Sequence, residues 1–308
     1  MVLSPDVFSI DCPKVVARLE SFIRESMHAL SRRGVLVPLS GGLDSSTVAA
    51  LCARAVGKEN VVGLLLPDIK GAPAARRFGR QVAAALGIRA HTINMSHVLL
   101  AAGAYSSAPN LVPSRRLLAR IVRRRMASSG SQQYLDVLRG SDDPMARSVF
   151  AAIYARQRAR VVVAFRYADL HRLLVVGTAH KSEDLLGLYV KFGIDDSADL
   201  MPLKRLYRSH ILQIARHVGV PETVLQRTPN PEMLPGVEDK YMDVLRIPSS
   251  ATDLVLFGIE EGMQDGEIAR ETGVALAKVA EVREIVRVSR HMREPSATID
   301  PLREAPVS

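Results

Sequence analysis

The stretch VLVPLSGGLDSSTVAALCARAV, Val35 to Val56, constrains the fold more than any other part of the chain. Its first residues, Val35 to Leu39, are short and β-branched enough to form a buried strand. Its last, Thr47 to Val56, are alanine-rich and read as helix. Between them stand two glycines, three hydroxyls and one carboxylate. A glycine turn that carries a strand into a helix start leaves backbone N–H groups free to hold an anion. A phosphate site is therefore expected here.

The rest of the chain repeats the strand and helix alternation, which predicts an α/β fold, a parallel sheet with helices on both faces. Cys12 to Arg32 reads as an amphipathic helix. Asn60 to Leu66 is a second buried strand ending at Pro67, Ala74 to Leu86 a helix closed by Gly87, and Ile88 to Ile93 a third strand. A polar excursion from Ser96 to Pro144 reads as an insertion that leaves the sheet. A long arginine-rich helix from about Met145 to Ala168 leads into a fourth strand, Leu173 to Val176, and then into GTAHKSED. The remainder is mostly helical, with 249–292 as a C-terminal helical elaboration. With 308 residues, 47% hydrophobic and 24% charged, one domain over 1–308 fits better than two equal ones.

Composition removes several classes. Cys12 and Cys52 are the only cysteines, too few for a disulfide framework or a cysteine zinc site, and they point to a reducing, cytoplasmic setting. No apolar run approaches the roughly 18 residues that span a bilayer, so no membrane association is expected. No HxH or HExxH string occurs among the eight histidines, so no histidine metal cluster is expected. The formal charge of +9 suits a nucleic acid, an acidic surface or a polyanionic small substrate. Much of the excess lies in SRRLLARIVRRRM, Ser114 to Met126, where arginines oppose Leu117, Leu118, Ile121 and Val122 on a helix. Aromatic residues to stack single-stranded bases are not interleaved there.

Ligands of open α/β sheets sit outside the carboxyl ends of the strands. If the first and fourth strands are neighbours, SGGLDSS and GTAHKSED face one crevice and supply one carboxylate each, Asp44 and Glu183. Two carboxylates converging on phosphates suit a hard cation such as Mg²⁺. The alternative for Glu183 is a first-turn helix acid stabilised by the dipole.

The type of phosphate loop follows from what is missing. Neither the Walker string GxxxxGK[ST] nor GxGxxG is present. The loop SGGLDSS instead resembles that of the N-type ATP pyrophosphatases. The downstream stretch GTAHKSEDLLGLYVKFGIDDSADLMPLKRLYRSHILQIARHVGVPETVLQRTPNPEMLPG, with SRHMREPS near the C-terminus, resembles the NAD synthetase family over roughly Ser21 to Pro295. That resemblance implies the adenine-nucleotide α-hydrolase fold, a homodimer, and an ammonia-dependent ligase without the large amidohydrolase domain. The implied reaction adenylates the carboxylate of deamido-NAD with ATP and Mg²⁺, releases pyrophosphate, and lets ammonia displace AMP to leave NAD. No covalent nucleophile is needed, and no GxSxG elbow is found.

The resemblance also implies roles. Ser40, Gly41, Gly42, Leu43, Asp44 and Ser45 would cradle the phosphates of ATP, with Thr178, Arg208 and Asn230 as further ATP contacts. Asp44 and Glu183 would hold the metal. Arg158 in the string RQRAR, Lys191, Asp199 and His291 would bind the deamido-NAD side. Several positions depart from the family pattern. Arg208 stands for a lysine, FGIDDS for YGDGG, Asn230 for a threonine-like contact, VEDK for a TDE-type segment, and Met292 for a lysine after the last histidine. Changed substrate contacts around an intact ATP loop leave amidation of another carboxylate open, and whether ammonia arrives free or from a separate glutaminase stays open too.

Two rivals come from other classes. An RNA-modifying pyrophosphatase suits the basic charge, but the thiolating members use cysteine chemistry absent here. MQDGEIARETGVALAKVAEVREIVR, Met263 to Arg287, has helix-turn-helix spacing, yet Ala275 to Glu281 carry no arginine, asparagine or glutamine to read bases. Nucleic acid is therefore not expected as a partner.

Overall fold

Among the described residues, four short strands form the centre of the molecule, and all of them pair in parallel. They are β1 (Gly34–Pro38), β2 (Val61–Leu65), β3 (Arg89–Thr92) and β4 (Leu173–Val175), in the spatial order β3-β2-β1-β4. The computed structural model describes residues 2–71, 73–106, 114–230, 236–296 and 298. Residues 107–113 of the excursion and 231–235 of TPNPEMLPG lie outside them.

Strand side chains alternate between the two faces, and this alternation builds two cores. Val35, Val37, Val61, Leu65 and Leu174 enter one, with α1 (Cys12–Ala29), α2 (Leu43–Val56) and α3 (Pro73–Leu86) over them. Leu36, Val62, Leu64, Leu173 and Val175 enter the other, where α4 (Ser96–Ala101) and α5 (Arg115–Leu138) come before the covering helix α6 (Pro144–His171). Ala164 and Ala168 of α6 are fully buried, so their small side chains let the helix lie close on the sheet. The α6 start is fixed by the Asp143 carboxylate, which accepts from the Met145 N–H, and by Pro144 in the first turn.

After β4 come α7 (Lys181–Leu186), α8 (Arg208–His217), α9 (Glu222–Leu225) and α10 (Lys240–Leu245). The chain then closes with α11 (Ser249–Glu260), α12 (Asp265–Thr272), α13 (Leu276–Val288) and α14 (Arg290–Arg293). Ile268, Val279, Val282 and Ile285 of these helices share a core with Leu186 of α7 and Leu135 of α5. The second helix of the helix-turn-helix spacing, α13, is committed to packing. Its inner face is buried, and Glu284 on its outer side is held by Arg139, 2.7 Å away. No helix among the described residues is long and apolar enough to cross a membrane.

The topology creates one switch point. The chain moves outward from β1 to β2 and β3, then returns to place β4 on the other side of β1, with Val35 opposite Leu174 and Leu36 opposite Val175. The crevice beyond the carboxyl ends of β1 and β4 is where such sheets bind ligands.

Candidate active site

The loop after β1 has little conformational choice. Gly41 sits at φ +77°, and a Cβ there would lie 2.6 Å from the backbone of Phe78 and Gly79 on α3. Gly42 caps α2, its N–H donating to Ser40 Oγ at 3.2 Å, and Ser40 Oγ lies 3.0 Å from Ser45 Oγ. The first turn of α2 therefore presents its amides and the positive end of its dipole to the crevice. Arg227 donates to the Gly41 carbonyl at 2.6 Å and stacks over the Phe78 ring, 4.0 Å from the centroid.

The loop after β4 arrives from the opposite side. His180 caps α7 and is fully buried, and Glu183 stands in the first turn of that helix. His180 Nε2 lies 3.8 Å from Asp44 Oδ1 and 3.5 Å from Glu183 Oε2, so the three donor atoms fall within 4.8 Å of one another. Neither ring nitrogen of His180 nor Oδ1 of Asp44 has a hydrogen-bond partner among the described residues. Buried polar atoms in that condition are costly unless something occupies the space between them. Two carboxylate oxygens and an imidazole nitrogen at that spacing fit a divalent cation. A histidine belongs to this group although no histidine motif announced it, because the three side chains come from two separate loops.

Charge at the site is dense. Arg208, buried at the start of α8, places Nη1 3.7 Å from Asp44 Oδ1. Lys240 at the start of α10 makes an ion pair with Glu183 Oε1. Burial pushes the Asp44 carboxyl up, but His180, Arg208 and Lys240 more than offset it and hold the group below its ordinary value. Asp195 goes the other way. Burial, reinforced by the negative charge of Glu183, pushes it up to about 6 although Thr178 donates a hydrogen bond to it at 3.3 Å.

At the far end of the same cavity, Asp68 follows β2 and is enclosed by α6. Arg156 Nη2 lies 2.8 Å and Arg160 Nη2 3.3 Å from its two oxygens, and Tyr105 donates to it at 3.2 Å. Two guanidiniums on one carboxylate leave a net positive charge in the wall. The cavity has a volume of about 270 Å³.

Ser40, Gly42, Leu43, Asp44, Ser45, Thr178, Glu183, Arg208 and Asn230 all line this one cavity. Gly41 lies beneath them and contributes its carbonyl to Arg227. Arg158, Lys191, Asp199 and His291 are placed outside the lining. Arg158 donates to the Lys191 carbonyl at 3.3 Å, Lys191 Nζ to the His291 carbonyl at 2.6 Å, and the His291 ring rests on the Val288 carbonyl. Asp199 accepts the Val175 N–H at 2.8 Å and so holds the end of β4. Arg156, Arg160, Asp68, Lys240 and His180 line or face the site without having been singled out from sequence. The signal for the arginines was available in RQRAR, whose outer pair is four residues apart and shares one helix face.

The NAD synthase family model matches residues 15–145 and 141–296. The chain belongs to the NAD synthase family. Among its relatives, the NH3-dependent NAD+ synthetase of Coprothermobacter proteolyticus is 34% identical over 252 residues, 80% of this chain and 84% of that protein. In fold it is similar to the NMN synthetase of Francisella tularensis, with a TM-score of 0.68 at 19% identity over 95% of this chain and all of the other. It is similar also to the NH3-dependent NAD synthetase of Campylobacter jejuni, with a TM-score of 0.66 at 22% identity over the same shares. At these identities the two structures speak for the NAD synthase fold alone. Every residue that lines the cavity falls within the stretches matched to the NAD synthase family.

Proposed function

We propose that this chain is an ammonia-dependent NAD synthetase, a C–N ligase that adenylates the carboxylate of deamido-NAD with ATP and then amidates it. The observation that carries this reading is the meeting of the Ser40–Ser45 loop with His180 and Glu183 at the β1/β4 switch point, in a chain of the NAD synthase family.

The residues divide the work by chemistry. The first-turn amides of α2 and the hydroxyls of Ser40 and Ser45 hold the phosphates of ATP. Arg208, beside Asp44, and Arg227, on the Gly41 carbonyl, add positive charge, and Thr178 and Asn230 offer further polar contacts. Asp44 and Glu183, with His180 between them, are the groups to hold Mg²⁺, which when bound screens the charge of the departing pyrophosphate. With the triphosphate fixed, the nicotinate carboxylate oxygen attacks the α-phosphorus and the bond to pyrophosphate breaks. Ammonia then attacks the acyl carbon, and AMP leaves with the oxygen that made the attack. Asp195, ionised above about pH 6, accepts the proton that the nitrogen loses. Preorganised charge of this kind accelerates both steps without a covalent intermediate on the enzyme.

For the dinucleotide side we propose Arg156 and Arg160 as the charged wall, with Arg158, Lys191 and His291 as the mutually bonded flank beside it and Asp199 acting through β4. We propose further that the chain works as one unit over 1–308, with 96–144 as an insertion and 249–292 as an elaboration, and that it is a cytoplasmic homodimer. Leu117 and Ile121 of α5 and Met145 and Val162 of α6 are about half or more exposed and suit such an interface.

A second reading, amidation of another carboxylate, is favoured by the departures Arg208, Asn230, Asp195 and Lys240, all of which line the cavity. One experiment separates the two. The protein is incubated with ATP, Mg²⁺, ammonium and deamido-NAD while AMP, pyrophosphate and NAD are followed. Release of all three in equal amounts, dependent on deamido-NAD and abolished by Asp44→Ala, is expected. AMP formed only with a different carboxylate would overturn the substrate assignment.

A further inference from the structure

Among the described residues, Lys240 is the lysine or arginine of the cavity that touches the candidate metal carboxylate Glu183 directly. Its side chain is only 11% exposed, and its ammonium lies on Glu183 Oε1. Its charge also reaches Asp44 and Asp195. The backbone places it firmly. Asp239 caps α10, and the Lys240 N–H donates to the Pro229 carbonyl at 3.1 Å, next to Asn230.

Both oxygens of Glu183 therefore face positive or donor groups. Oε1 carries the ammonium, while Oε2 faces His180 Nε2 at 3.5 Å, on the side where Asp44 completes the donor set. A divalent ion entering alone would add two positive charges to a buried space in which Arg208 and Lys240 already offset the charges of Asp44 and Glu183. Like charges a few ångströms apart with little water between them repel strongly. The phosphates of ATP bring the missing negative charge. A lysine is also suited to change partners, because its compact charge sits on a flexible four-carbon stem.

We propose that Lys240 is a built-in counter-cation of this site: without nucleotide it holds Glu183 and keeps a divalent ion from settling, and with ATP bound its ammonium moves to the phosphates. The metal then enters as its ATP complex. The inference rests on the metal site proposed above, and its test keeps the two apart.

Mn²⁺ alone is titrated into the unmodified protein, Lys240→Met and Lys240→Arg, and the free ion is followed by its paramagnetic resonance signal. Melting curves report that each variant is folded. Lys240→Met should bind Mn²⁺ roughly tenfold tighter than the other two proteins, since a buried positive charge has gone. With α,β-methylene-ATP present the advantage should vanish, and the analogue itself should bind Lys240→Met more weakly. Mn²⁺ affinity in Lys240→Met equal to or below that of the unmodified protein, with nucleotide absent, would overturn the proposal and leave the metal site standing. No Mn²⁺ uptake by any of the three, even with the analogue and beyond what the analogue alone sequesters in solution, would remove the metal site itself.

Discussion

Gly41 and Asp195 show how single positions set the chemistry. At φ +77°, Gly41 occupies left-handed backbone, and a methyl group there would also collide with the backbone of α3 at 2.6 Å. Gly41→Ala should therefore cost about 2 kcal/mol or more in stability and raise the KM for ATP about tenfold, read from melting and initial rates. Asp195 gives a pH test with a definite sign. Its carboxyl is raised to about 6, so it is protonated below that pH and useless as a proton acceptor. At a fixed concentration of free ammonia the amidation rate should rise as pH increases through about 6, and Asp195→Asn should be slow throughout with that limb gone. The loop residues around Gly41 were legible in sequence because glycine, hydroxyl and carboxylate at a strand end have few other uses, whereas Asp195 stood out only as a departure from the family pattern. Arg156 and Arg160 were passed over for Arg158 because the choice depends on the rotation of α6. The buried alanines 152, 164 and 168 fall on the same four-residue stripe as Arg156 and Arg160, and that stripe identifies the inward face. Lys240 could be found only as a departure, since a loop and a distant segment bring it to Glu183.

Among the elements, α7 and α8 carry Glu183 and Arg208, and one carboxylate from α11 joins them. Asp253 is fully buried and accepts from Ser182 Oγ at 2.6 Å, from the Ser209 N–H at 2.8 Å and from Ser209 Oγ at 2.6 Å. Ser182 Oγ in turn receives the Arg208 N–H at 3.0 Å. Asp253→Ala leaves these donors unsatisfied and should destabilise the protein by roughly 3 kcal/mol. It should also weaken binding of the Mg²⁺–ATP complex, with Asp253→Asn recovering part of the melting temperature. The strands β1, β2 and β4 were legible as short buried runs, whereas β3 is an exposed to half-buried edge strand, and α6 was legible as an arginine-rich helix from about Met145. The Ser96–Pro144 excursion was less so, because α5 continues through Ser128, Ser129 and Gly130 to Leu138. Those residues discourage helix in isolation. Packing overrides them: Leu135 is buried in the C-terminal core, and the Tyr134 hydroxyl donates to the Leu186 carbonyl.

For the whole molecule, the +9 charge and the arginine-lined cavity suit a reaction in which every substrate except ammonia is a polyanion. The fold brings the glycine loop after β1, the carboxylates Asp44 and Glu183 and Arg208 together only because β4 returns beside β1, a neighbour relation no local pattern states. The most direct measurement of the central claim follows the carboxylate oxygen. Deamido-NAD enriched with heavy oxygen in its carboxylate is turned over with ATP, Mg²⁺ and ammonium, and the products are weighed by mass spectrometry. Adenylation at this site predicts one heavy oxygen in AMP and none in pyrophosphate. Label in a phosphate product, with ADP in place of AMP, would contradict it.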